Sequence, residues 1–194
     1  MQPIQGPETL DCTRAYGEAA PASPRVCMSF MKNSIRPGTL RRVLNLWPPF
    51  LFSGIRVTDI ASDWHSARVE LRARPWNRNY VGVHFGGSLF AMTDPFWMLL
   101  TMHALGNDYI VWDQAGSIEF VKPARGTVHA RFRLDDAVLA QLRAATAHGG
   151  KHLHWFETAI VDATGETVAR VRKQVYVRRK RDRRPGAEER GLAA

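Results

Sequence analysis

The sequence predicts an α+β domain in which a curved antiparallel sheet wraps around one long central helix. Three observations predict this class. One apolar stretch of helical length occupies about residues 87–105, a pair of alternating strand patterns precedes it, and four more follow it up to about residue 178. An antiparallel sheet buries one face, and packing that face on an apolar helix shields both elements from water. At 194 residues, the chain has the length of one such domain with extended ends.

Residues 1–36 are rich in proline, alanine and glycine and have no sustained periodicity, so we expect this segment to be disordered. It contains both cysteines, Cys12 and Cys27, and the simplest interpretation is a reduced, cytoplasmic chain. Its acidic residues and lack of an apolar run argue against a signal peptide. The folded domain is expected over residues 37–178.

The segment from Leu40 is predicted to form a short helix to about Trp47, where Pro48 and Pro49 stop it. Its large apolar side chains are compatible with a position on a membrane surface or with a cover over the core. We favour the cover because the segment is short and runs directly into a strand.

The remaining elements follow in order. Alternation predicts a hairpin over residues 55–60 and 65–74, and Gly106 is expected to end the helix at 87–105. Pro95 lies inside that helix and predicts a kink beside Asp94. Further strands are predicted at 109–122, 126–134, 151–163 and 166–178, with a short helix at 135–146 and a tight turn at 163–165. The Asp135-Asp136 pair is expected to cap the short helix.

Of the net charge of +9, residues 178–194 contribute +4, through a basic run that begins at Arg178. We expect residues 179–194 to form a solvated, disordered basic tail, although such a run also attracts nucleic acid, anionic lipid or a phosphorylated group. Aromatic residues are not interleaved with the run, so no nucleic-acid partner is expected. The longest apolar stretch, residues 89–105, is interrupted by Asp94, Pro95 and His103, so no membrane span is expected either.

The stretch from Asn79 to Asp94 contains the candidate site. Gly86 and Gly87 allow close approach to the backbone, and the first amides of a helix lack intrahelical acceptors and can bind an oxyanion. Asp94 follows among apolar neighbours, where an acid needs a partner, shifts its pKa upward or performs chemistry. The alternative interpretation is a solvated helix acid beside a glycine turn.

Two further groups of side chains could also bear on function. Asp113, in an apolar strand, is either a second acid or, as we favour, a buried hydrogen-bonding group at a sheet edge or dimer contact. His152 and His154 share one strand face without a third ligand nearby, which favours a polar outer face over a metal site.

Two motifs resemble the hotdog-fold thioesterase superfamily, most closely the phenylacetate-pathway-like acyl-CoA thioesterases and a related, mostly uncharacterised branch. Asn79 followed by HFGGSLFAMTD at 84–94 is similar to the Asn, His-Gly-Gly and helix acid of that group, and SIEFVKPARG at 117–126 is similar to its strand-to-turn signature. The resemblance covers roughly residues 40–178. Hydroxyacyl carrier-protein dehydratases share the fold, but the proline and glutamate typical of their motif are absent here.

The resemblance implies roles for named residues. Asp94 would be the general base or nucleophile, Gly87 the oxyanion donor and Asn79 the amide that orients substrate or water. His84 would be either a catalytic assistant or a hydrogen-bonding loop residue. The residues expected to contact substrate are Gly86, Phe85, Phe90, Trp97, Met98 and Arg125.

Three departures bear on the transfer. Phe85 stands where the family often has His, Pro95 directly follows the acid, and Met98 stands where relatives often have a hydroxyl, for which Thr93 and Thr101 are candidate substitutes.

We therefore expect an acyl-CoA thioesterase for fatty or aromatic acyl groups, with no cofactor beyond the CoA part of its substrate. Its site would be shared within a homodimer or homotetramer, and Lys122, Arg125 or the tail would pair with the CoA phosphates. The alternative is a non-catalytic hotdog protein that binds acyl chains or serves as an assembly module.

Overall fold

A computed structural model describes residues 35–180. Most of the two segments expected to be disordered, residues 1–36 and 179–194, lies outside the described residues, and Arg179 belongs to the last strand. The elements in chain order are α1 (Pro37–Leu46), α2 (Pro48–Ser53), β1 (Ile55–Ile60), β2 (Ser66–Leu71), a 3-10 turn (Pro75–Asn77), α3 (Gly86–Ala91), α4 (Phe96–Leu105), β3 (Tyr109–Phe120), β4 (Val128–Arg133), α5 (Asp136–Ala145), β5 (Lys151–Val161) and β6 (Thr167–Arg179).

The six strands form one antiparallel sheet in the order β1-β2-β4-β5-β6-β3, so β1 and β3 are its edges. Alternation decides which face is buried. Ala67, Val69 and Leu71 of β2 are buried and pair with buried residues of β4. The same face of the sheet packs on α4, which buries Phe96, Trp97 and Leu100. The predicted α+β class and curved antiparallel sheet are confirmed.

The predicted single helix at 87–105 is instead two helices, α3 and α4. Pro95 has no amide hydrogen to donate, so the regular hydrogen-bond pattern is interrupted before it. In the intervening residues, the amides of Thr93 and Asp94 donate to carbonyls three residues back, those of Phe90 and Ala91. The predicted kink is therefore a complete break, and Asp94 lies in the turn between the two helices.

At the N-terminal end, Pro48 and Pro49 end α1 as predicted but also begin α2. Proline suits the first turn of a helix because the amide hydrogen that it lacks would have no acceptor there. Leu40, Leu44 and Phe50 are buried, which confirms that one face of these helices covers the core.

Two smaller predictions need correction. Asp135 occupies the N-cap position of α5 without a side-chain capping bond, and Asp136 instead accepts a hydrogen bond from His65 Nε2 at 3.0 Å. His152 and His154 do not lie on an outer face, because they share the side of β5 that buries Phe156, and the His154 ring packs on Phe156 at 4.5 Å.

The predicted turn before β6 is confirmed, since Gly165 has a φ of 87°. Within residues 35–180, no helix has the length and apolar character needed to span a membrane.

Candidate active site

The start of α3 places two glycines against aromatic rings. A Cβ on Gly87 would lie 2.3 Å from the Phe85 ring, and a Cβ on Gly86 would lie 2.8 Å from the Phe120 ring. Between residues 35 and 180, neither glycine amide has a protein acceptor. Both amides are therefore available to an oxygen atom of a ligand.

The loop before α3 is held by two asparagines. Asn79 Oδ1 accepts hydrogen bonds from the amides of Val81 and Val83, at 3.1 and 3.2 Å. Asn77, which the sequence did not single out, is buried; its Nδ2 donates to the carbonyls of Ser53 and Arg72, and its Oδ1 accepts from the Arg74 amide, all at 2.8 Å. The Asn79 oxygen is thus engaged by its own loop.

His84 fixes this loop to the turn between β3 and β4. Its amide donates to the Ala124 carbonyl at 3.0 Å, and its Nε2 lies 2.6 Å from the Gly126 carbonyl. A carbonyl only accepts, so Nε2 carries the proton, and the buried Nδ1 is an acceptor without a partner in the described chain. Arg125 lies between Ala124 and Gly126 in the sequence and is exposed, and its expected contact with substrate stays a prediction. We call this region, residues 84–87 with 124–126, the glycine end.

Asp94 has an ionic partner that the sequence did not reveal. Its Oδ1 accepts a hydrogen bond from Lys173 Nζ of β6. The Lys173 side chain is only 5% exposed, whereas that of Asp94 is 57% exposed in the single chain. The Lys173 ammonium also lies 4.8 Å from the centre of the Phe90 ring, a favourable cation–π arrangement.

Asp113 joins this pair from the edge strand β3. Its Oδ2 lies 3.7 Å from Lys173 Nζ, and its buried Oδ1 has no hydrogen-bond partner in the described chain. Burial raises the pKa of Asp113 to about 6, an effect that Lys173 opposes and the nearby Asp94 reinforces. The position of Asp113 beside Asp94 fits the interpretation as a second acid. Its place on an edge strand fits the interpretation as a buried hydrogen-bonding group at a sheet edge or dimer contact. We call Asp94, Asp113 and Lys173 the acid end.

The sequence contained a signal for Lys173. In β6, Val171, Val175 and Val177 are buried, and Lys173 has the same parity along the strand. A lysine at an inward position of an otherwise apolar face requires a buried partner. The residues of opposite parity, Arg170, Arg172, Gln174 and Tyr176, are not buried.

Two other residues that were expected to contact substrate, Trp97 and Met98, belong to the core of the described chain or pack against it. Trp97 is buried in the core, where its Nε1 donates to Thr158 Oγ1 at 2.8 Å and its ring stacks on Phe156 at 4.4 Å. Met98 packs against the same core. The hydroxyl of Thr93 is bonded to the Phe90 carbonyl, and Thr101 is fully buried.

Lys122 is likewise engaged elsewhere, because its ammonium pairs with Asp162 at 2.7 Å and with Glu166. Among residues 35–180, no three His, Cys, Asp or Glu side chains converge as metal ligands.

Within one chain, the two ends are separate. No hydrogen bond or ion pair in the described residues joins Asp94 to Asn79, His84 or Gly87. Gly86 packs on Phe120 of β3, whereas Lys173 pairs with Gly116, four residues earlier on the same strand. Because four residues of a strand span about 13 Å, the two ends lie roughly that far apart along β3.

The architecture is that of a hotdog protein, as the resemblance implied. A protein of unknown function from Pseudomonas aeruginosa, described as a probable thioesterase, superposes with a TM-score of 0.67 at 22% identity, over 76% of this chain and 99% of that chain. A thioesterase from Haemophilus influenzae superposes with a TM-score of 0.58 at 14% identity, over 79% of this chain and 97% of that one. A mutant thioesterase from Pseudomonas aeruginosa gives 0.55 at 13% identity, over 72% and 92%.

The family can be stated as well. The model of a domain of unknown function, DUF4442, matches residues 39–177, and the chain belongs to this family. A comparison with curated proteins finds no significant match.

Proposed function

We propose that this chain is a thioester hydrolase that acts on acyl-CoA or acyl-carrier thioesters with fatty or aromatic acyl groups. The observation that carries the proposal is the position of Asp94. It lies at the break of the central helix, ionically paired to a buried lysine and open to solvent on its other side. The hotdog fold, shared with the thioesterases named above, and the free glycine amides at the start of α3 support the same reaction.

In the proposed reaction, Asp94 accepts a proton from water while the water oxygen attacks the thioester carbonyl carbon. The carbonyl oxygen becomes an oxyanion and accepts a hydrogen bond from the Gly87 amide. The C–S bond then breaks, and the thiolate leaves. A positioned base contributes roughly 10²–10⁴-fold, and one oxyanion donor contributes about 3–4 kcal/mol. Direct attack by the Asp94 carboxylate is the alternative first step.

A second copy of the chain would complete the proposed site. β3 is a twelve-residue edge strand, and one of its sides has no partner strand in the described chain. Such an edge can pair with another chain. Antiparallel pairing of two β3 strands directs the Phe120 end of one copy, which carries the glycines, toward the Asp113 region of the other. We therefore propose a homodimer, alone or within a tetramer. The expected cytoplasmic location stays a prediction.

A second candidate is a non-catalytic acyl-binding protein. It is favoured by the engagement of Asp94 Oδ1 with Lys173 and by that of the Thr93 hydroxyl, which is bonded to the Phe90 carbonyl. In that case the acid end would serve stability rather than chemistry.

The test is hydrolysis of a panel of acyl-CoAs by the full chain, measured as release of free thiol. We expect Asp94→Asn to lower kcat/KM at least 100-fold. Asp59→Asn, at an exposed acid on the edge strand β1, is the matched control and should retain activity. Wild-type protein that hydrolyses none of the panel would rule out the hydrolase. Retention of an acyl ligand in native mass spectrometry would then support the binding protein.

A further inference from the structure

Lys173 is an unusual residue for its position. The residue is 4% exposed on a strand face whose other buried members are apolar, namely Ala169, Val171, Val175 and Val177. Burying an ammonium costs several kcal/mol unless charged partners compensate it. The two carboxylates that face it, Asp94 and Asp113, come from different elements, so the chain gathers three charged groups at one point.

The surrounding backbone makes room for this arrangement. Gly116 pairs with Lys173, and a Cβ there would lie 2.9 Å from both Lys173 Cδ and Phe90 Cζ. The β3–β6 register shifts between Asp113 and Ala115. Such a bulge changes which side of the strand successive residues face, so Asp113 and Gly116 both point inward despite their odd spacing. The glycine and the bulge together admit the lysine and direct Asp113 toward it.

We propose that Lys173 is a positioning residue of the hydrolase, which holds Asp94 in place and couples it electrostatically to Asp113. This inference rests on the proposed function, because it concerns the base of that reaction. Lys173 itself would contact neither substrate nor water. It would act through Asp94, by fixing the direction of one oxygen and leaving the other free to accept a proton.

The coupling follows from the charges. The groups that face the Lys173 ammonium are Asp94 from the turn after α3, Phe90 from α3 and Asp113 from β3, while Phe156 of β5 pairs with Lys173 through the backbone. With both carboxylates ionised, the cluster carries one net negative charge. When Asp113 takes up a proton, the ammonium is left to Asp94 alone. The ionisation of Asp113 therefore changes how strongly Asp94 attracts a proton.

The experiment is the pH dependence of kcat/KM for wild type, Lys173→Met and Asp113→Asn, with the thioester that the panel identifies. Removing the cation should move the acidic limb of the profile, the pH range in which activity rises, to higher pH by about one unit. Removing the second carboxylate should move it to lower pH. We also expect Lys173→Met to reduce kcat roughly tenfold or more with little change in KM. Lys151→Met, at an exposed strand position, is the control.

The opposite directions distinguish coupling from a structural role. If Lys173 only stabilises the fold, Lys173→Met would lower activity at every pH. The acidic limbs of Lys173→Met and Asp113→Asn would then not move in opposite directions. Met has a chain length similar to Lys, and circular dichroism will establish whether each variant folds. If Lys173→Met alone does not fold, the double variant Lys173→Met/Asp113→Asn takes its place. It keeps the single net negative charge of the cluster, now on Asp94, and the acidic limb of its profile should lie near the wild-type position.

The outcomes separate the two proposals. The role of Lys173 is overturned if wild type is active but the acidic limbs of Lys173→Met and Asp113→Asn stay at the wild-type pH. It is also overturned if both limbs move in the same direction. An inactive wild type overturns the proposed function and the catalytic role with it. In that case, ¹³C NMR of the carboxyl groups still decides the coupling: the Asp113 midpoint should lie near pH 6 in wild type and higher in Lys173→Met, and an unchanged midpoint contradicts the coupling.

Discussion

The glycine end and the acid end of the broken central helix are built in different ways. The glycine end is held by neutral hydrogen bonds to backbone groups, such as those of His84 to the Ala124 and Gly126 carbonyls. The acid end is held by charges, with one buried ammonium between two carboxylates. The acid end therefore depends on the ionisation of its members. A shared hydrolytic site would thus combine a fixed oxyanion donor with a tunable base.

The largest effect on stability is expected at Asn77, which supports the glycine end. Asn77→Ala removes three hydrogen bonds and leaves the Arg74 amide and the carbonyls of Ser53 and Arg72 without this partner. At about 1 kcal/mol for each bond, we expect a loss of about 3 kcal/mol in the free energy of unfolding, measured by urea denaturation. Asn107→Ala, at an exposed position, is the control. A loss below about 1 kcal/mol would mean that this amide does not hold the loop.

The next effect concerns the acid end and depends on pH. The pKa of Asp113 is raised by burial, from 3.8 to about 6, so between these values the folded protein binds more protons than the unfolded chain. Stability then falls as pH rises through this window. From pH 4 to pH 7, this carboxyl should lower the free energy of unfolding of wild type by roughly 2 kcal/mol. Asp113→Asn removes the carboxyl, so the stability of the variant relative to wild type should rise by that amount over the same range.

Thermal unfolding of the two proteins at matched pH values measures this difference. Asn77→Ala is the comparison for the glycine end, because the stability that this variant loses should be nearly the same at pH 4 and at pH 7. Parallel pH curves for Asp113→Asn and wild type would contradict the raised pKa.

The same contrast explains what the sequence could predict. Alternation in β2 and β6 is a local pattern, and Pro95 is a local break, so the sheet and the kinked helix were predictable. Lys173 is 79 residues from Asp94, and only the strand order β5-β6-β3 places it beside the acid. The inward parity of Lys173 could have indicated that a partner exists, but not which one. Trp97 was expected at the substrate for a similar reason, since an apolar helix does not itself reveal which of its residues the sheet covers.

The smallest expected effect compares Gly87, from the glycine end, with Gly116, which packs on Lys173 of the acid end. By distance alone, Gly87→Ala should be the worse substitution, since the new Cβ would lie 2.3 Å from Phe85, against 2.9 Å from the Lys173 and Phe90 side chains in Gly116→Ala. The Phe85 side chain, however, belongs to a residue that is 57% exposed and can rotate into solvent, whereas Lys173 is enclosed and tied to Asp94.

Alanine also suits a helix better than glycine does, which further offsets the cost at Gly87. We therefore expect Gly116→Ala to destabilise the protein by about 1 kcal/mol more than Gly87→Ala, in urea denaturation of the two variants beside wild type. Gly116→Ala should also displace Lys173 and move the acidic limb of the activity profile to higher pH, as Lys173→Met does. If Gly87→Ala is the more damaging of the two, then Phe85 is held in place by something other than the single chain, and the partner copy proposed at β3 is the first candidate.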